Sequence, residues 1–414
     1  MARKPKTDRV PFTRLQKKIL LTLASVVGLR MLGLFLVLPV FTLYGLRFTH
    51  SRFLAGFAFG SYGLTMAILQ IPLGRLSDRI GRRKVLILGM ALFSLGSFIC
   101  AVPHLFPSAM QIGVLIAGRL VQGGGAIISV AFATVADHIP AERRSTAMAV
   151  LGIPIGAAFI IGVIAGPIIA GVFGTASLFW ITGVLGISTD MLLLRYLPET
   201  PPSGAAPTPL GDILRIKTLL ALDAGGFLMN FFMSTFFFYF PLVVTTRYHM
   251  KMTQYYELLL PMIFISAFTM FAFSRGADHG MARPLAAIAF LVFLPSAILL
   301  FRPRLMGLDP THLAAILAGG TLFYIGFTGL EPMLPSMVSK AGPETAQGSA
   351  LGVYNSMQFL GTFVGGSIAG AFAHVANDTG MMITLMVAAV VGFVLMLTAR
   401  APKKAPAASP AHVS

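Results

Sequence analysis

Long apolar runs, separated by short polar segments, fill the chain from about residue 19 to residue 399. Twelve runs are expected, near 19–45, 53–73, 85–102, 110–136, 146–172, 176–196, 218–244, 257–273, 285–301, 312–334, 349–373 and 381–399. Runs of about 20 residues can cross a hydrocarbon core of about 30 Å. They are solidly apolar and do not alternate with polar residues, so they predict helices and exclude a barrel. The pattern predicts an all-α membrane protein of twelve transmembrane helices in two pseudo-symmetric six-helix bundles.

The polar segments place the boundaries. The connection from Leu197 to Lys217 is rich in Pro, Ala and Gly and reads as a flexible linker. Residues 1–197 are therefore expected to form the N-terminal bundle, 198–217 a cytoplasmic linker, 218–400 the C-terminal bundle and 401–414 a disordered tail. The halves also repeat. A shift of 199 residues carries Gly162, Gly166, Ile169, Ala170 and Gly171 onto Gly361, Gly365, Ile368, Ala369 and Gly370. A weaker echo joins Gly74–Lys84 to Arg275–Arg283. Parallel repeats of six helices are the signature of rocking secondary transporters, with the substrate between the halves.

Charge changes the picture in one respect. The chain has 414 residues, 56% of them hydrophobic, yet carries a formal net charge of +17. In a soluble protein that charge would suggest nucleic acid. Here 23 of the 31 lysines and arginines lie in the tails and in alternate connections on the side of the termini. That bias predicts both termini in the cytoplasm, with lipid as the partner and no nucleic acid. The basic N-terminus leads into an apolar run too long for a cleaved signal, so a retained first span is expected. The single cysteine, Cys100, is assigned no redox role.

Gly74-Arg-Leu-Ser-Asp78-Arg79-Ile-Gly81-Arg82-Arg83-Lys84 gathers six charges in eleven residues, in the expected loop between the second and third runs. The bases suit a cytoplasmic loop. Asp78 does not, since topology needs no acid there; an acid at a helix end can face the positive N-terminus of a neighbouring helix. Asp137 is expected to pair with Arg79 or with the Glu142-Arg143-Arg144 cluster. Inside the apolar runs stand Arg30, Arg119, Asp190, Asp223 and Glu331, and an ionisable group at membrane depth is a functional candidate by default. A carboxyl can carry a proton across only where burial lifts its pKa toward neutrality. Glu331 is expected a turn or two from the cytoplasmic end of its helix; Asp190 and Asp223 are expected near helix ends. The aromatic run from Phe231 to Phe240 reads either as lipid-facing or packing surface or as a soft apolar wall for greasy ligands, Phe231 and Tyr239 included. Gln122, Asn355 and Gln358 add candidate polar contacts for a substrate.

At these residues the sequence resembles the major facilitator superfamily, over essentially the whole chain. Gly74–Lys84 is similar to its loop signature. The resemblance implies that Gly74, Asp78, Arg79, Gly81, Arg82, Arg83 and Asp137 form a gating latch, with Asp78 facing the start of the eleventh helix. Arg119-Leu-Val-Gln122-Gly123 resembles a second motif, which links Arg119 to proton transfer. Gly162, Gly166, Pro167 and Gly171 resemble the antiporter motif of the fifth helix, with Ala170 in place of a glycine. Gly28–Val40 resembles a first-helix motif of the twelve-helix drug:proton antiporters, with Tyr44 where a final proline would stand. With Glu331-Pro-Met-Leu-Pro and Gly352–Gly361, these features look most like the YajR group of bacterial efflux transporters, here without that group's soluble C-terminal domain.

The resemblance implies a proton-coupled transporter, not an enzyme, that exports lipophilic small molecules by alternating access. The proton-coupling candidates are Arg119, Glu331, Arg30 and Asp223. The alternative within the fold is a dedicated exporter or importer of one metabolite, such as a sugar or an organic anion. No cofactor or metal is expected, the partners are a small-molecule substrate and protons, and a monomer is expected.

Overall fold

The computed structural model describes residues 12–199, 210–343 and 347–399, and every regular element among them is helical. The chain enters α1 (Arg14–Val37) through a reciprocal cap: Thr13 Oγ1 accepts from the Gln16 amide while the Gln16 side chain accepts from the Thr13 amide. That pairing satisfies two of the amides a helix start leaves orphaned. A break follows, then the short α2 (Phe41–Gly45). The N-terminal half continues with α3 (Arg52–Ile80), α4 (Arg82–Ala101), α5 (Ser108–Gly123), α6 (Ile128–His138), α7 (Ala141–Phe173) and α8 (Ala176–Tyr196). A short α9 (Leu210–Leu214) precedes the C-terminal half: α10 (Lys217–Arg247), α11 (Tyr256–Gly276), α12 (Ala282–Phe301), α13 (Leu313–Ala341), α14 (Gln347–His374) and α15 (Asp378–Thr398).

Each of the twelve expected runs falls on one of these helices or on a broken pair, α1 with α2 and α5 with α6. Three expectations are corrected. The charged stretch is not a loop: α3 runs to Ile80, α4 begins at Arg82, and only Gly81 turns the chain, at φ 100°. That left-handed backbone is open to glycine at little cost and strained for other residues. The linker is not uniformly irregular, because α9 forms within it and Ile213 is buried in the core. Residues 200–209 of the linker and the tail 401–414 lie outside the described residues. Finally, α13 runs to Ala341, ten residues past Glu331. At 1.5 Å per residue this puts Glu331 about 15 Å in from the helix end, deeper than expected.

The exterior is apolar. Leu21, Ile68, Trp180, Phe264, Phe268 and Val387 all stand exposed. Lipid tails are as apolar as leucine, so helices in a bilayer associate by close packing of small residues. The repeat glycines do this in both halves. A Cβ on Gly166 would stand 2.0 Å from the Leu36 carbonyl oxygen of α1, and one on Gly361 would stand 2.1 Å from the Phe227 carbonyl oxygen of α10. In each half, then, the fifth helix lies backbone to backbone against the first.

The halves meet toward the end away from the termini. A Cβ on Gly56, Gly60 or Gly63 of α3 would collide with backbone or side chain of α14 between Phe359 and Gly370. Phe159 of α7 packs against Phe237, Tyr324 and Phe327. One apolar cluster joins Leu36, Phe41 and Phe179 to Phe232, Phe293 and Phe323 across the two halves, whereas a second cluster draws its buried residues only from the N-terminal half. On the termini side, Gly152 and Gly156 of α7 and Gly348 of α14 are exposed, with nothing within 4 Å of where a Cβ would stand. The halves are therefore tightly joined at the far end, while these positions at the termini end stand open.

Candidate functional site

Three polar centres interrupt the apolar interior. The first lies at the termini end, where the Gly81 turn brings Arg82 back beneath α3. Arg82 is 7% exposed; its guanidinium meets Asp78 at 2.6 Å, Ser77 Oγ at 2.6 Å and Asp137 at 2.9 Å. Asp137 thus pairs with Arg82 and not with Arg79, which is exposed. The reason is the turn: it folds Arg82 inward and leaves Arg79, on the last turn of α3, facing out. The side chains of Glu142 and Arg144 lie outside the described residues. The start of α14, which Asp78 was expected to face, is preceded by residues 344–346, also outside the described residues. Next along the chain, Arg83 donates to the Leu194 carbonyl at the end of α8. Gly74 at this end has Ser129 Oγ 3.6 Å from the position of its missing Cβ, an ordinary contact.

The second centre lies in the N-terminal half. Arg30 of α1 is fully buried. Its Nε donates to the Gly125 carbonyl at 2.9 Å, in the break between α5 and α6, and one terminal nitrogen donates to Tyr62 Oη at 2.7 Å and Met66 Sδ at 3.0 Å. Arg119 donates to Gln122 Oε1 at 2.5 Å, and its guanidinium carbon stands 4.8 Å from the ring centres of both Phe41 and Tyr62. Gln122 is fully buried and passes its own amide hydrogen to Ser97 Oγ at 2.8 Å, so it holds Arg119 rather than lining open space.

The third centre lies in the C-terminal half. Glu331 of α13 is exposed at mid-depth, although Leu330, Met333 and Leu334 beside it are buried. Its own carbonyl loses the usual helical donor, because Pro335 has no N–H. Asp223 of α10 is 3% exposed, and its Oδ1 has no hydrogen-bond partner. Tyr354 of α14, fully buried, lies within electrostatic range of both carboxyls, and its ring fills the space over Gly226. Its hydroxyl and the Asn355 Nδ2 are also unpartnered. This places Glu331 on the α13 face that looks toward α10 and α14. Gln358 and Asn355 are half-buried on α14.

The expected residues do not converge on one point. Arg30 and Arg119 sit in one half, Glu331 and Asp223 in the other, and among the described residues no ion pair joins any of them. Of the fifth-helix motif, Gly162 and Gly166 bind α1, while Gly171 packs on Thr253 of the other half. Pro167 stands within α7, where it removes one helical hydrogen bond. The aromatic run turns inward: Tyr239 lines a cavity of about 30 Å³ between Phe232, Phe236, Phe293 and Phe323, and Phe231 is buried against α14. Sequence reasoning missed Tyr62 and Tyr354. The last stands in a polar patch, Tyr-Asn-Ser, within an apolar run, which was the available signal. Tyr62 gave none, because only folding places it between two arginines.

Residues 23–365 match the Major Facilitator Superfamily. The chain is 31% identical to the inner membrane transport protein YajR of Escherichia coli K12, over 92% of this chain and 83% of that protein. It is 29% identical to the multidrug resistance protein MdtL of Escherichia coli O127:H6, over 81% of this chain and 79% of that one. Among solved structures it is similar to a bacterial homologue of the human lysosomal transporter Spinster in an inward-facing, occupied conformation, with a TM-score of 0.73 at 15% identity over 94% of this chain and 97% of that chain.

Proposed function

Because the chain belongs to the major facilitator superfamily, we propose that it exports lipophilic small molecules in exchange for protons, by alternating access of its two halves. The observation that carries this is the pair Glu331 and Asp223. Both carboxyls flank a buried tyrosine, neither meets a base among the described residues, and Glu331 is exposed, which we read as facing a cleft between the halves that opens at the termini end. A carboxyl in that position can take up a proton in one state and lose it when the rocking of the halves changes its surroundings. Similarity to a multidrug resistance protein supports a lipophilic cargo. The excess of bases on the termini side supports cytoplasmic termini in a bacterial inner membrane, with the cleft then facing inward. The Arg82 hub, tied to Asp78 and Asp137, acts as the latch on that side, and the protein works as a monomer.

The test is transport in proteoliposomes with an imposed proton gradient, read with a panel of fluorescent lipophiles and the fluorescence of an internal pH dye. Export of several probes coupled to proton entry, lost in Glu331→Gln, is the expected result. Transport that ignores the gradient would overturn the coupling, and transport of one metabolite alone would overturn the broad cargo.

A further inference from the structure

The N-terminal centre is chemically one-sided. Arg30 and Arg119 bring two positive charges around one phenol, and among the described residues no carboxylate pairs with either. What meets them carries only partial negative charge: the Gly125 and Phe59 carbonyls, the Gln122 amide, the Met66 sulfur and the faces of Phe41, Tyr62 and Phe93. Removing an ion from water is costly even after relaxation, and the aromatic faces return only part of that cost. The two charges are thus stabilised but not neutralised.

Two donors of this cluster are left to bond a ligand. Arg119 is 7% exposed, yet its Nε–H has no partner. Tyr62 is 5% exposed; its oxygen accepts from Arg30, which leaves the hydroxyl hydrogen to donate elsewhere. A cation would need acceptors, and here the free groups are N–H and O–H. The cluster also lies at the seam between the halves. Phe59, whose carbonyl Arg119 touches, packs on Phe238 of the other half at 6.5 Å, and Tyr62 packs on Phe359 at 6.3 Å. When the seam parts, Arg119 and Tyr62 are uncovered together, with the apolar faces of Phe59 and Phe359 beside them.

We propose that Arg119, Tyr62 and Arg30 form the recognition site for the anionic group of the exported molecule, an amphiphile that joins a carboxylate or sulfonate to an apolar body. This rests on the reading of the cleft as a transport route and names the class of its cargo. The anion accepts from Arg119 Nε and Tyr62 Oη, Arg30 holds Tyr62 in place from below, and Gln122 orients Arg119.

The experiment uses three probes with the same ring and different charge: naphthalene-2-sulfonate, 2-naphthamide and 2-naphthylmethylammonium. Binding to the full chain in lipid nanodiscs is measured by calorimetry. The sulfonate is expected to bind about tenfold tighter than the amide, the worth of one hydrogen bond to a charged group. Arg119→Gln removes that preference and Arg119→Lys keeps part of it, while an unchanged helical circular dichroism spectrum and elution volume of both variants report the intact fold. Tyr62→Phe keeps the ring and weakens the sulfonate by about threefold; it decides the matter should Arg119→Gln not fold. A sulfonate that binds no tighter than the amide, a preference for the ammonium, or a preference that survives Arg119→Gln overturns the proposal. Sulfonate binding without proton-driven transport of any probe sinks the transport reading alone. Proton-driven transport of the amide without a sulfonate preference sinks the anion site alone.

Discussion

The two halves share a framework and differ in chemistry. In each, a glycine-rich fifth helix lies against the first, Gly166 on Leu36 and Gly361 on Phe227. Each also turns between its second and third helices at a glycine with positive φ, Gly81 at 100° and Gly280 at 88°. Just beyond that glycine each sends an arginine to the last helix of its own half, Arg83 to the Leu194 carbonyl and Arg283 to the Leu397 carbonyl. The charges are not repeated. The N-terminal half holds the buried arginines and the Arg82 hub with its two acids. The C-terminal half holds Asp223 and Glu331 without bases among the described residues. Asp190, half-buried on α8, likewise has no hydrogen-bond partner for its Oδ1. Backbone contacts and turns admit few residues, so a repeat preserves them. Charged positions are free to diverge once the two halves take different tasks.

The largest effect should come from the chemistry that is not repeated. Glu331→Gln is expected to reduce proton-driven transport to background while bound probe still exchanges across the membrane. Asp190→Asn, the nearest control in the other half, should leave transport near wild type. Equal losses from both would erase the distinction between the halves.

The framework itself is tested by Gly166→Val and Gly361→Val. Each forces side-chain atoms onto a carbonyl, and overpacking of this kind costs about 3 kcal/mol. Thermal unfolding in detergent should show the two midpoints falling by similar amounts. A fall in one alone would mean that the helix contacts are not equivalent. At the seam, Gly60→Ala places a Cβ 2.6 Å from the Phe363 carbonyl oxygen. The expected outcome is a shift toward the state open at the far end, read as faster labelling of a cysteine introduced at Phe57. Unchanged labelling would show that the seam tolerates the methyl.

The smallest effects separate the hub from its echo. Arg82→Gln leaves Asp78 and Asp137 without their guanidinium, a loss of about 1 kcal/mol for a partly exposed pair of ion pairs. It should lower transport. Arg283→Gln gives up its hydrogen bond to the Leu397 carbonyl and should matter less. Arg79→Gln, at an exposed position, should stay within about 0.5 kcal/mol of wild type in stability. A strong defect at Arg79 would restore the pairing with Asp137 that the sequence suggested.

Much of this protein was legible without a structure. The number and placement of the spans follow from apolar length alone, because a bilayer demands about 20 apolar residues and a helix to satisfy their backbone. The halves were readable from Gly162, Gly166 and Gly171 recurring as Gly361, Gly365 and Gly370, since close helix packing leaves room only for small residues. The charged residues inside the spans could be picked out because each is costly there. What they touch could not. Whether Asp137 meets Arg79 or Arg82 depends on the direction in which one glycine turns the chain. The depth of Glu331 depends on how far α13 continues past two prolines. That Tyr62 stands between Arg30 and Arg119, residues 89 positions apart in the chain, depends on three helices crossing at one point. Solvent cost acts on each residue singly and so leaves its mark in the sequence; pairing is settled by backbone geometry summed over whole helices, which only the folded chain fixes.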